Sequence, residues 1–386
     1  MIIKEVDAKA IKDSRKERTV LVKIKTNVGS FSASAPNGKS KGKHEAKPYK
    51  KDLEGDINAL KSLSEYFSGD IIEKFGDLKR IEDIVEGHVG ANTTFALESA
   101  VLKAMAKEQK KKIWQLINPD ARKLPRLVGN CVGGGKHSSL VGNKRPDFQE
   151  FELIPKTKTV AEAYKKNIEA QKEVERLLKK EDEHFKGNKN DENAWKTSLN
   201  EKKILDILKT TKIPLGLDVA SSSFYRRKKY RYENPVLERT PEEQLFYLSN
   251  LINNLGIFYV EDPFEEEDFE GFAKLLKKCP GSLIVGDDLT VTNLKRLKKA
   301  VEKKAINSLI IKPNQNGSLV EVADVCRYAK ENGIQTIFSH RSGETEENIL
   351  ADLAFGFQAD FLKTGISSKV REVKIKRLIE IEKGLK

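Results

Sequence analysis

Seven short apolar runs recur beyond residue 145, each closing on a polar residue and followed by a helical pattern: FQEFELI, PLGLDV, IFYVED, SLIVGDD, SLIIKP, TIFSH and DFLKTG. The residues that close the last five runs are 26, 25, 28 and 23 positions apart, and they are Glu261, Asp287, Lys312, His340 and Lys363. A strand followed by a crossover helix takes about that length, so the spacing predicts successive parallel strands. Seven such units favour a β/α barrel, in which functional residues lie at the carboxyl ends of the strands.

A doubly wound open sheet is the alternative architecture. It usually collects its ligand residues at one switch point of the sheet. Here an ionisable residue closes nearly every run, which favours the barrel. Two features depart from a regular repeat: a gap of 43 residues before Glu261, and a long charged helical stretch at 160–183.

The first part of the chain predicts a smaller α+β unit. Partly alternating strand patterns and two helical patterns are found at 2–7, 18–26, 30–35, 56–67 and 93–108. The segment 118–125 contains two prolines and is typical of a domain boundary. We therefore expect an N-terminal α+β domain at 1–124 and a barrel domain at 125–386 that contains the active site.

The composition is that of a globular chain, with 38% hydrophobic and 33% charged residues among 386. No stretch approaches the ~18 uninterrupted apolar residues of a membrane span. The first residues lack the apolar core of a signal peptide, so we expect a cytoplasmic protein. The three cysteines are far apart, which argues against a disulfide framework or a zinc ribbon.

The net charge of +13 raises the question of nucleic acid. The 71 basic residues are, however, interspersed with 58 acidic ones along helical patterns. One basic and aromatic cluster stands out, at 225–232, without an accompanying RNA-binding or helix-turn-helix motif. A solvated surface is the better interpretation, and a nucleic-acid partner is not expected.

Three carboxylates, Asp218, Glu261 and Asp287, close different runs and would meet at the mouth of a barrel. Oxygen ligands without a cysteine or histidine favour Mg²⁺. The alternative is that each acid caps a loop or pairs with a lysine. Lys312 and Lys363 would lie across the mouth, where a lysine beside metal ions can have a lowered pKa and act as a base. The alternative for each lysine is a solvated side chain.

Two further segments indicate a ligand. Residues 339–344 end one run at the start of a helical pattern, where free backbone N–H groups and Arg341 would suit a phosphate. An ordinary helix cap is the alternative. The glycine-rich segment 131–137 lacks the ending of a phosphate-binding P-loop. Its glycines either let the backbone approach a ligand and present His137, or form a structural turn.

Eleven motifs resemble those of the enolase family over nearly the full length: DSR (13–15), PNGKSKGKHEA (36–46), GAN (90–92), GGGKH (133–137), FQEF (148–151), GLDVASS (216–222), VEDPF (260–264), GDDLTVTN (286–293), IKPNQNGSL (311–319), SHRSGETE (339–346) and LKTG (362–365). The resemblance implies an N-terminal α+β domain that caps an irregular (β/α)8 barrel. It also implies the reversible dehydration of 2-phosphoglycerate to phosphoenolpyruvate, two Mg²⁺ ions and a homodimer.

The resemblance assigns a role to individual residues. The first Mg²⁺ would be held by Asp218, Glu261 and Asp287, and the second by Ser40 of a mobile loop. Lys312 would remove the C2 proton, and Glu192, in a segment that reads Asn190-Asp-Glu-Asn-Ala194, would be the general acid. Lys363 would bind the substrate carboxylate, and Arg341 and Ser342 the phosphate. The remaining active-site positions would be His137, Gln149, Glu150, Ser339 and His340.

Several positions depart from the family pattern. Lys39 and Lys41 flank Ser40, and two cations there would weaken the second metal or bind phosphate instead. Asn193 and Ala194 replace two glycines after the acid, which would shift its loop. The segment after KTG lacks an expected glutamate, and Leu21 replaces an acid of the family's dimer interface.

Three functions compete. The leading one is an active enolase. A dehydratase or racemase of the wider superfamily is the second, although its substrates typically carry no phosphate for the SHRSGE segment to bind. The third is a non-catalytic or moonlighting protein that binds RNA or a partner through its basic surface.

Overall fold

The computed structural model describes residues 1–39, 42–69 and 71–385. Its strands are β1 (Ile3–Lys12), β2 (Arg18–Thr26), β3 (Gly29–Ser34), β4 (Arg126–Gly133), β5 (Glu150–Leu153), β6 (Trp195–Lys196), β7 (Leu215–Asp218), β8 (Tyr225–Arg226), β9 (Lys229–Glu233), β10 (Val236–Arg239), β11 (Tyr259–Glu261), β12 (Leu283–Gly286), β13 (Ser308–Ile311), β14 (Gln335–Ser339) and β15 (Phe361–Lys363). Its α-helices are α1 (Leu53–Ser62), α2 (Leu78–Val85), α3 (Ala91–Glu108), α4 (Ile113–Ile117), α5 (Val160–Glu181), α6 (Glu201–Lys209), α7 (Pro241–Leu255), α8 (Phe269–Lys278), α9 (Leu294–Glu302), α10 (Leu319–Glu331), α11 (Ile349–Gly356) and α12 (Lys369–Gly384).

The N-terminal part is an antiparallel sheet, β1-β2-β3, covered by helices. The buried side chains of β2 include alternate apolar positions, Val20, Val22 and Ile24. Helix α3 packs against β2 and β3, and its buried residues include the small side chains Ala96, Ala100 and Ala104. Small residues let a helix approach a sheet closely. The predicted helix at 56–67 is instead α1 followed by a 3₁₀ turn at Ser64–Gly69.

Eight strands close into a barrel, because β15 pairs with both β14 and β4. All seven apolar runs form barrel strands: β5, β7, β11, β12, β13, β14 and β15. The eighth strand, β4, was missed in the sequence. Two glycines interrupt its apolar pattern, Gly129 and Gly133, and glycine weakens the local preference for a strand.

The expectation of parallel strands is wrong at β5, which is antiparallel to both β4 and β7. A parallel pair needs a crossover connection of a dozen or more residues, usually a helix. The segment between β4 and β5 contains only a 3₁₀ turn at Gly135–His137. The chain therefore turns back on itself there, which makes the barrel irregular.

The gap of 43 residues before Glu261 contains a small sheet, β10-β9-β8, and helix α7. The basic and aromatic cluster at 225–232 forms part of this sheet. Tyr230 and Tyr232 are buried, so these two rings do not belong to a solvated surface as expected. The Arg239 guanidinium lies 4.0 Å from the ring centroid of Tyr232 and helps to cover it. Tyr230 and Tyr232 therefore serve packing.

The long charged stretch at 160–183 is helix α5, which ends at Glu181. Within the part of the chain that the structure describes, no helix combines the length and apolar composition needed to cross a membrane.

Candidate active site

The carboxyl ends of the barrel strands bring the predicted residues together. Strand β7 ends on Asp218, β11 on Glu261, β14 on Ser339 and β15 on Lys363. The cavity has about 290 Å³ of empty space and is lined by Gly38, Lys39, His137, Gln149, Glu150, Glu192, Asp218, Lys312, Ser339, His340, Arg341, Ser342 and Lys363. A larger groove of about 1600 Å³ beside α7 contains none of the predicted residues. The chemistry therefore favours the smaller cavity, which suits a small metabolite.

Two of the proposed metal ligands are neighbours across the barrel sheet. Glu261 pairs in register with Asp218, and both carboxylates are buried. Among the residues that the structure describes, Glu261 Oε1 has no hydrogen-bond partner. Burial, and then the nearby Asp218 charge, raise the pKa of Glu261 to about 8. Two buried like charges of this kind favour a cation between them.

The third carboxylate, Asp287, directly follows β12. Its Oδ1 accepts a hydrogen bond from Gln315 Nε2 at 3.2 Å, and its Oδ2 contacts the Lys312 ammonium. Burial acts to raise the pKa of Asp287, but the contact with Lys312 and the charges of Lys363 and Arg341 together outweigh burial, and the pKa is lowered. Asp287 is therefore a stable anion within this site.

Asp262 was not singled out in the sequence, although it lies next to Glu261. Its carboxylate accepts hydrogen bonds from the backbone N–H groups of Asp287 and Asp288, at 2.9 and 2.7 Å. Its backbone is in the left-handed region, with φ 42°. Such a conformation is costly for a residue other than glycine and is often found at functional sites. Asp262 therefore helps to fix the position of Asp287.

The donor set fits Mg²⁺, because it consists of carboxylate oxygens and includes a buried oxygen without a partner. The residues that would hold the first ion are Asp218, Glu261 and Asp287. Ser40, predicted to bind the second ion, and Lys41 lie outside the described residues. A second metal site is therefore an expectation from the resemblance alone.

Lys363 is surrounded by four carboxylates. Its ammonium lies 2.7 Å from Glu261 Oε2, 3.0 Å from Glu152 Oε1, 3.2 Å from Glu150 Oε2 and 3.5 Å from Asp218 Oδ2. Burial would lower its pKa, but the carboxylates outweigh burial and the pKa is raised well above the ordinary value. Lys363 is therefore a fixed positive charge, as binding of a substrate carboxylate requires.

Glu152 is another site residue that sequence reasoning missed. Burial raises its pKa to about 8. The signal was present in FQEFELI, because residues two positions apart in a strand point to the same face. Glu150 and Glu152 therefore both point toward Lys363.

Lys312 differs from the expectation of a lowered pKa. Burial acts to lower its pKa, but the Asp287 carboxylate outweighs burial and the pKa is raised. The neighbouring Arg341 and Lys363 charges act in the same direction as burial. The raised pKa of Lys312 therefore depends on its contact with Asp287.

Glu150 and Glu192 form a buried carboxyl pair, with an oxygen of each within 4.8 Å of the other. Burial and the facing Glu192 charge raise the pKa of Glu150 well above its ordinary value. Burial also opposes ionisation of Glu192, but the cations around it outweigh burial and lower its pKa. The largest of these contributions come from His340 and His137, followed by Arg371. The two carboxyls of the pair therefore have pKa shifts in opposite directions.

The loop around Glu192, residues 190–194, is called the acid loop below. The Asn190 side chain accepts hydrogen bonds from the backbone of Glu192 and Ala194, each at 3.0 Å. Asn193 has φ 65°, a conformation that asparagine tolerates better than most residues. The replacement of glycine by Asn193 is therefore compatible with this loop. Asn130 Nδ2 donates to Glu192 Oε2 at 3.0 Å and fixes the carboxylate.

His137 is buried beside this pair. Its Nδ1 lies 3.3 Å from both Glu150 Oε1 and Glu192 Oε1, but without the alignment of a hydrogen bond. His340 Nε2 lies 3.6 Å from Glu192 Oε2. Gln149 Nε2 donates to Asp218 Oδ2 at 3.0 Å. The glycine-rich segment therefore presents its histidine to the cavity.

The residues predicted to hold phosphate lie together. Arg341 Nη2 donates to both oxygens of Glu45, at 3.1 and 2.9 Å. Ser342 Oγ accepts from Arg15 Nη1 at 2.9 Å and from the Lys39 backbone N–H at 2.8 Å. These polar groups and positive charges can recognise an anion.

The expected helix N-terminus is absent from this anion site. Helix α11 begins only at Ile349, and the Arg341 backbone N–H already donates to Glu344 Oε1 at 3.0 Å. Side chains, rather than free N–H groups at a helix start, therefore provide recognition. The reason is that the polar residues before Ile349 form a loop that pairs with the N-terminal domain, where Gly343 exchanges backbone hydrogen bonds with Asn37.

Lys39 was expected beside a second metal or a phosphate. Its ammonium instead donates to Asp191 Oδ2 at 2.9 Å. Gly38 packs against the Arg341 guanidinium so closely that a side chain at this position would overlap it. The segment before Ser40 is therefore fitted to both the acid loop and Arg341.

The fold and the site define an irregular β/α-barrel enzyme, capped by an α+β domain, with carboxylates and lysines in one mouth. The family model for the enolase C-terminal TIM barrel domain matches residues 121–386, and that for the enolase N-terminal domain matches 3–117. The chain belongs to the enolase family, which is a family of lyases, the phosphopyruvate hydratases.

Similar proteins come from archaea. The enolase of Methanosphaera stadtmanae is 35% identical over 409 aligned residues, which cover 100% of this chain and 97% of that protein. The enolase of Pyrobaculum aerophilum is 37% identical, covering 90% of this chain and 87% of that protein. The enolase of Archaeoglobus fulgidus is 34% identical, and the alignment covers 99% of this chain and 97% of that protein. The similarity therefore extends over both parts of the chain.

Proposed function

We propose that this chain catalyses the Mg²⁺-dependent, reversible dehydration of 2-phosphoglycerate to phosphoenolpyruvate in glycolysis and gluconeogenesis. The observation that carries the proposal is one cavity that contains a partly buried lysine, Lys312, and a buried carboxyl pair, Glu150 and Glu192. Elimination of water needs a base for the C2 proton and an acid for the C3 hydroxyl.

Lys312 is proposed to take the C2 proton. Its contact with Asp287 raises its pKa, and so does the Glu261 charge, whereas burial and the Arg341 and Lys363 charges lower it. Weakening of the Asp287 contact would therefore favour the neutral amine that takes the proton. Mg²⁺ bound by Asp218, Glu261 and Asp287 would stabilise the negative charge that develops on the substrate carboxylate.

Glu192 is proposed to deliver the proton that leaves with the C3 hydroxyl as water. Glu150, whose pKa is raised and which lies beside Glu192, is proposed to supply this proton. Lys363 is proposed to bind the substrate carboxylate, since its charge is fixed by burial among carboxylates. Proton removal at one group and proton donation at another give a balanced reaction.

Arg341 and Ser342 are proposed to bind the phosphate, supported by His137, Gln149, Ser339 and His340 around the remainder of the substrate. Their cluster favours a phosphorylated substrate over the unphosphorylated acids of the wider superfamily. The Arg341–Glu45 contact would have to loosen to admit the phosphate.

We also propose a domain boundary at residues 124–125, just before the first barrel strand begins at Arg126; the two family models end at 117 and begin at 121, a few residues earlier. A cytoplasmic homodimer is the expectation from the family. Size-exclusion chromatography with light scattering tests the dimer, and a monomeric mass would contradict it.

The proposed function is tested by following phosphoenolpyruvate formation from 2-phosphoglycerate across a Mg²⁺ titration, with D-glycerate as the unphosphorylated control. We expect product only from the phosphorylated substrate, and none after chelation of Mg²⁺. Turnover of D-glycerate with equal efficiency would favour a superfamily dehydratase. No product from either acid at any Mg²⁺ concentration would overturn the proposal.

A further inference from the structure

Lys39 connects the anion end of the cavity with the acid loop. Its backbone N–H donates to Ser342 Oγ at 2.8 Å, and its ammonium donates to Asp191 Oδ2 at 2.9 Å. Asp191 directly precedes Glu192 in the chain. One residue therefore contacts both the proposed phosphate ligand and the loop of the proposed acid.

The acid loop is also held from inside the protein. Arg371 is fully buried, and its Nη2 donates to the Asp191 carbonyl at 3.3 Å and to the Ser342 carbonyl at 2.8 Å. Its Nη1 donates to the Arg341 carbonyl at 2.7 Å. The backbone of Asp191 is thus fixed by Arg371, while its side chain is held by Lys39. Removal of the Lys39 ammonium would leave the acid loop held at Asp191 from the inner side alone.

The Lys39–Asp191 ion pair is too exposed to contribute much to the free energy of unfolding. The Lys39 and Asp191 side chains are 39% and 35% exposed, and pairs of this kind contribute little to stability. The same pair can have a large effect on the reaction rate, because a displacement of about 1 Å at a catalytic group can lower the rate by about 10²-fold. The consequence of the Lys39–Asp191 pair is therefore expected in catalysis rather than in stability.

We propose that Lys39 is a positioning residue, which aligns the Glu192 carboxylate by pairing with Asp191 while its backbone is anchored on the Ser342 hydroxyl. Through this one residue, occupation of the anion end is coupled to placement of the acid. The inference rests on the proposed function, which assigns Ser342 to the phosphate and Glu192 to proton donation. It assigns a role to a lysine that differs from the family pattern.

The test uses Lys39→Met, which removes the ammonium but keeps the side-chain length and the backbone N–H. Asp191→Asn removes the partner. The matched control is Lys43→Met, since Lys43 is an exposed lysine of the same segment that pairs with Glu265 at 2.9 Å. For each full-length variant, the measurements are product formation from 2-phosphoglycerate, exchange of the C2 hydrogen in heavy water, and Tm.

We expect Lys39→Met to lower kcat for product formation by about 10-fold to 10²-fold, with C2 exchange, KM and Tm close to wild type. Asp191→Asn should give the same phenotype, and the double variant should be no worse than either single one. Lys43→Met should match wild type. A raised KM with unchanged kcat would mean that Lys39 binds the phosphate itself, and would overturn the proposal. A parallel loss of Tm, exchange and product formation would also overturn it, since it indicates a structural role.

Failure of the proposed function gives a different result. A wild-type protein that forms no product from 2-phosphoglycerate contradicts that function, whatever the variants do. Amide hydrogen exchange of residues 188–195 then tests the Lys39–Asp191 contact without turnover. Faster exchange in Lys39→Met than in wild type and Lys43→Met supports the positioning of the acid loop, and unchanged exchange overturns it.

Discussion

Asp218 and Glu261 face each other in register across β7 and β11, and the Lys363 ammonium contacts both carboxylates, at 3.5 and 2.7 Å. The position of each acid follows from the barrel, because parallel strands end at the same rim. Lys363 offsets part of the negative charge, but Glu261 Oε1 accepts no hydrogen bond from the part of the chain that the structure describes. This combination explains how one mouth can bind both a divalent cation and an anionic substrate.

Asp287→Asn tests the metal assignment. The amide retains the shape of the side chain and an oxygen acceptor for Gln315, but it removes the negative charge. We expect turnover to fall by at least about 10²-fold and the Mg²⁺ requirement to rise. Activity is measured against Mg²⁺ concentration, and Mg²⁺ binding by calorimetry. Wild-type activity at limiting Mg²⁺ would contradict the assignment, and a loss confined to Asp288→Asn would transfer the ligand to that neighbour.

Gly38→Ala tests the close approach to Arg341. The added methyl group would overlap the Arg341 guanidinium, which is the flexible end of a side chain and can move. We therefore expect a raised KM for 2-phosphoglycerate, by about 10-fold, with little change in Tm. The control is Gly281→Ala, where no heavy atom lies within 4 Å of the added methyl group. A normal KM in Gly38→Ala would mean that Arg341 does not bind the substrate.

Much of this site follows from the sequence, because the periodic runs place their last residues at one rim. Lys312 and Lys363 were recognisable from their positions at run ends. Their charge states were not, because these depend on distances to Asp287 and Glu152 that only the closed barrel defines.

Other features depend on tertiary contacts. The antiparallel direction of β5 follows from a connection without a crossover helix, which the apolar pattern of FQEFELI does not reveal. Strand β4 was not predicted because its glycines, Gly129 and Gly133, interrupt the apolar pattern. The lowered pKa of Glu192 depends on His340, His137 and Arg371, which come from separate parts of the chain. Local sequence indicates which residues reach the rim, whereas their electrostatics require the folded chain.

Glu98 predicts a pH dependence of stability away from the site. It is fully buried in α3, Oε1 has no hydrogen-bond partner, and Oε2 accepts from the Leu319 backbone N–H at 2.7 Å. Burial, and then the Glu82 charge, raise its pKa well above the ordinary value of 4.5. The folded protein therefore holds a proton that the unfolded chain loses above that value, so stability falls as pH rises from about 4.5 toward the folded-state pKa.

Glu98→Gln removes this titration. We expect a Tm about 1–3 °C higher than wild type near pH 8 and a smaller difference near pH 4, measured by calorimetry across that range. Glu86→Gln, at an exposed position near α2, is the control and should follow wild type. A Tm difference that does not change with pH would show that Glu98 has the same proton occupancy in both states.

The central proposal is that Lys312 removes the C2 proton and that the Glu150–Glu192 pair protonates the C3 hydroxyl. Exchange of the C2 hydrogen in heavy water tests this assignment most directly. Lys312→Ala removes the base, so both exchange and product formation should collapse. Glu192→Gln leaves the base in place, so exchange should persist while product formation falls by the ~10²–10⁴-fold typical of a lost general acid. Exchange at the wild-type rate in Lys312→Ala, or product formation at the wild-type rate in Glu192→Gln, would contradict the account.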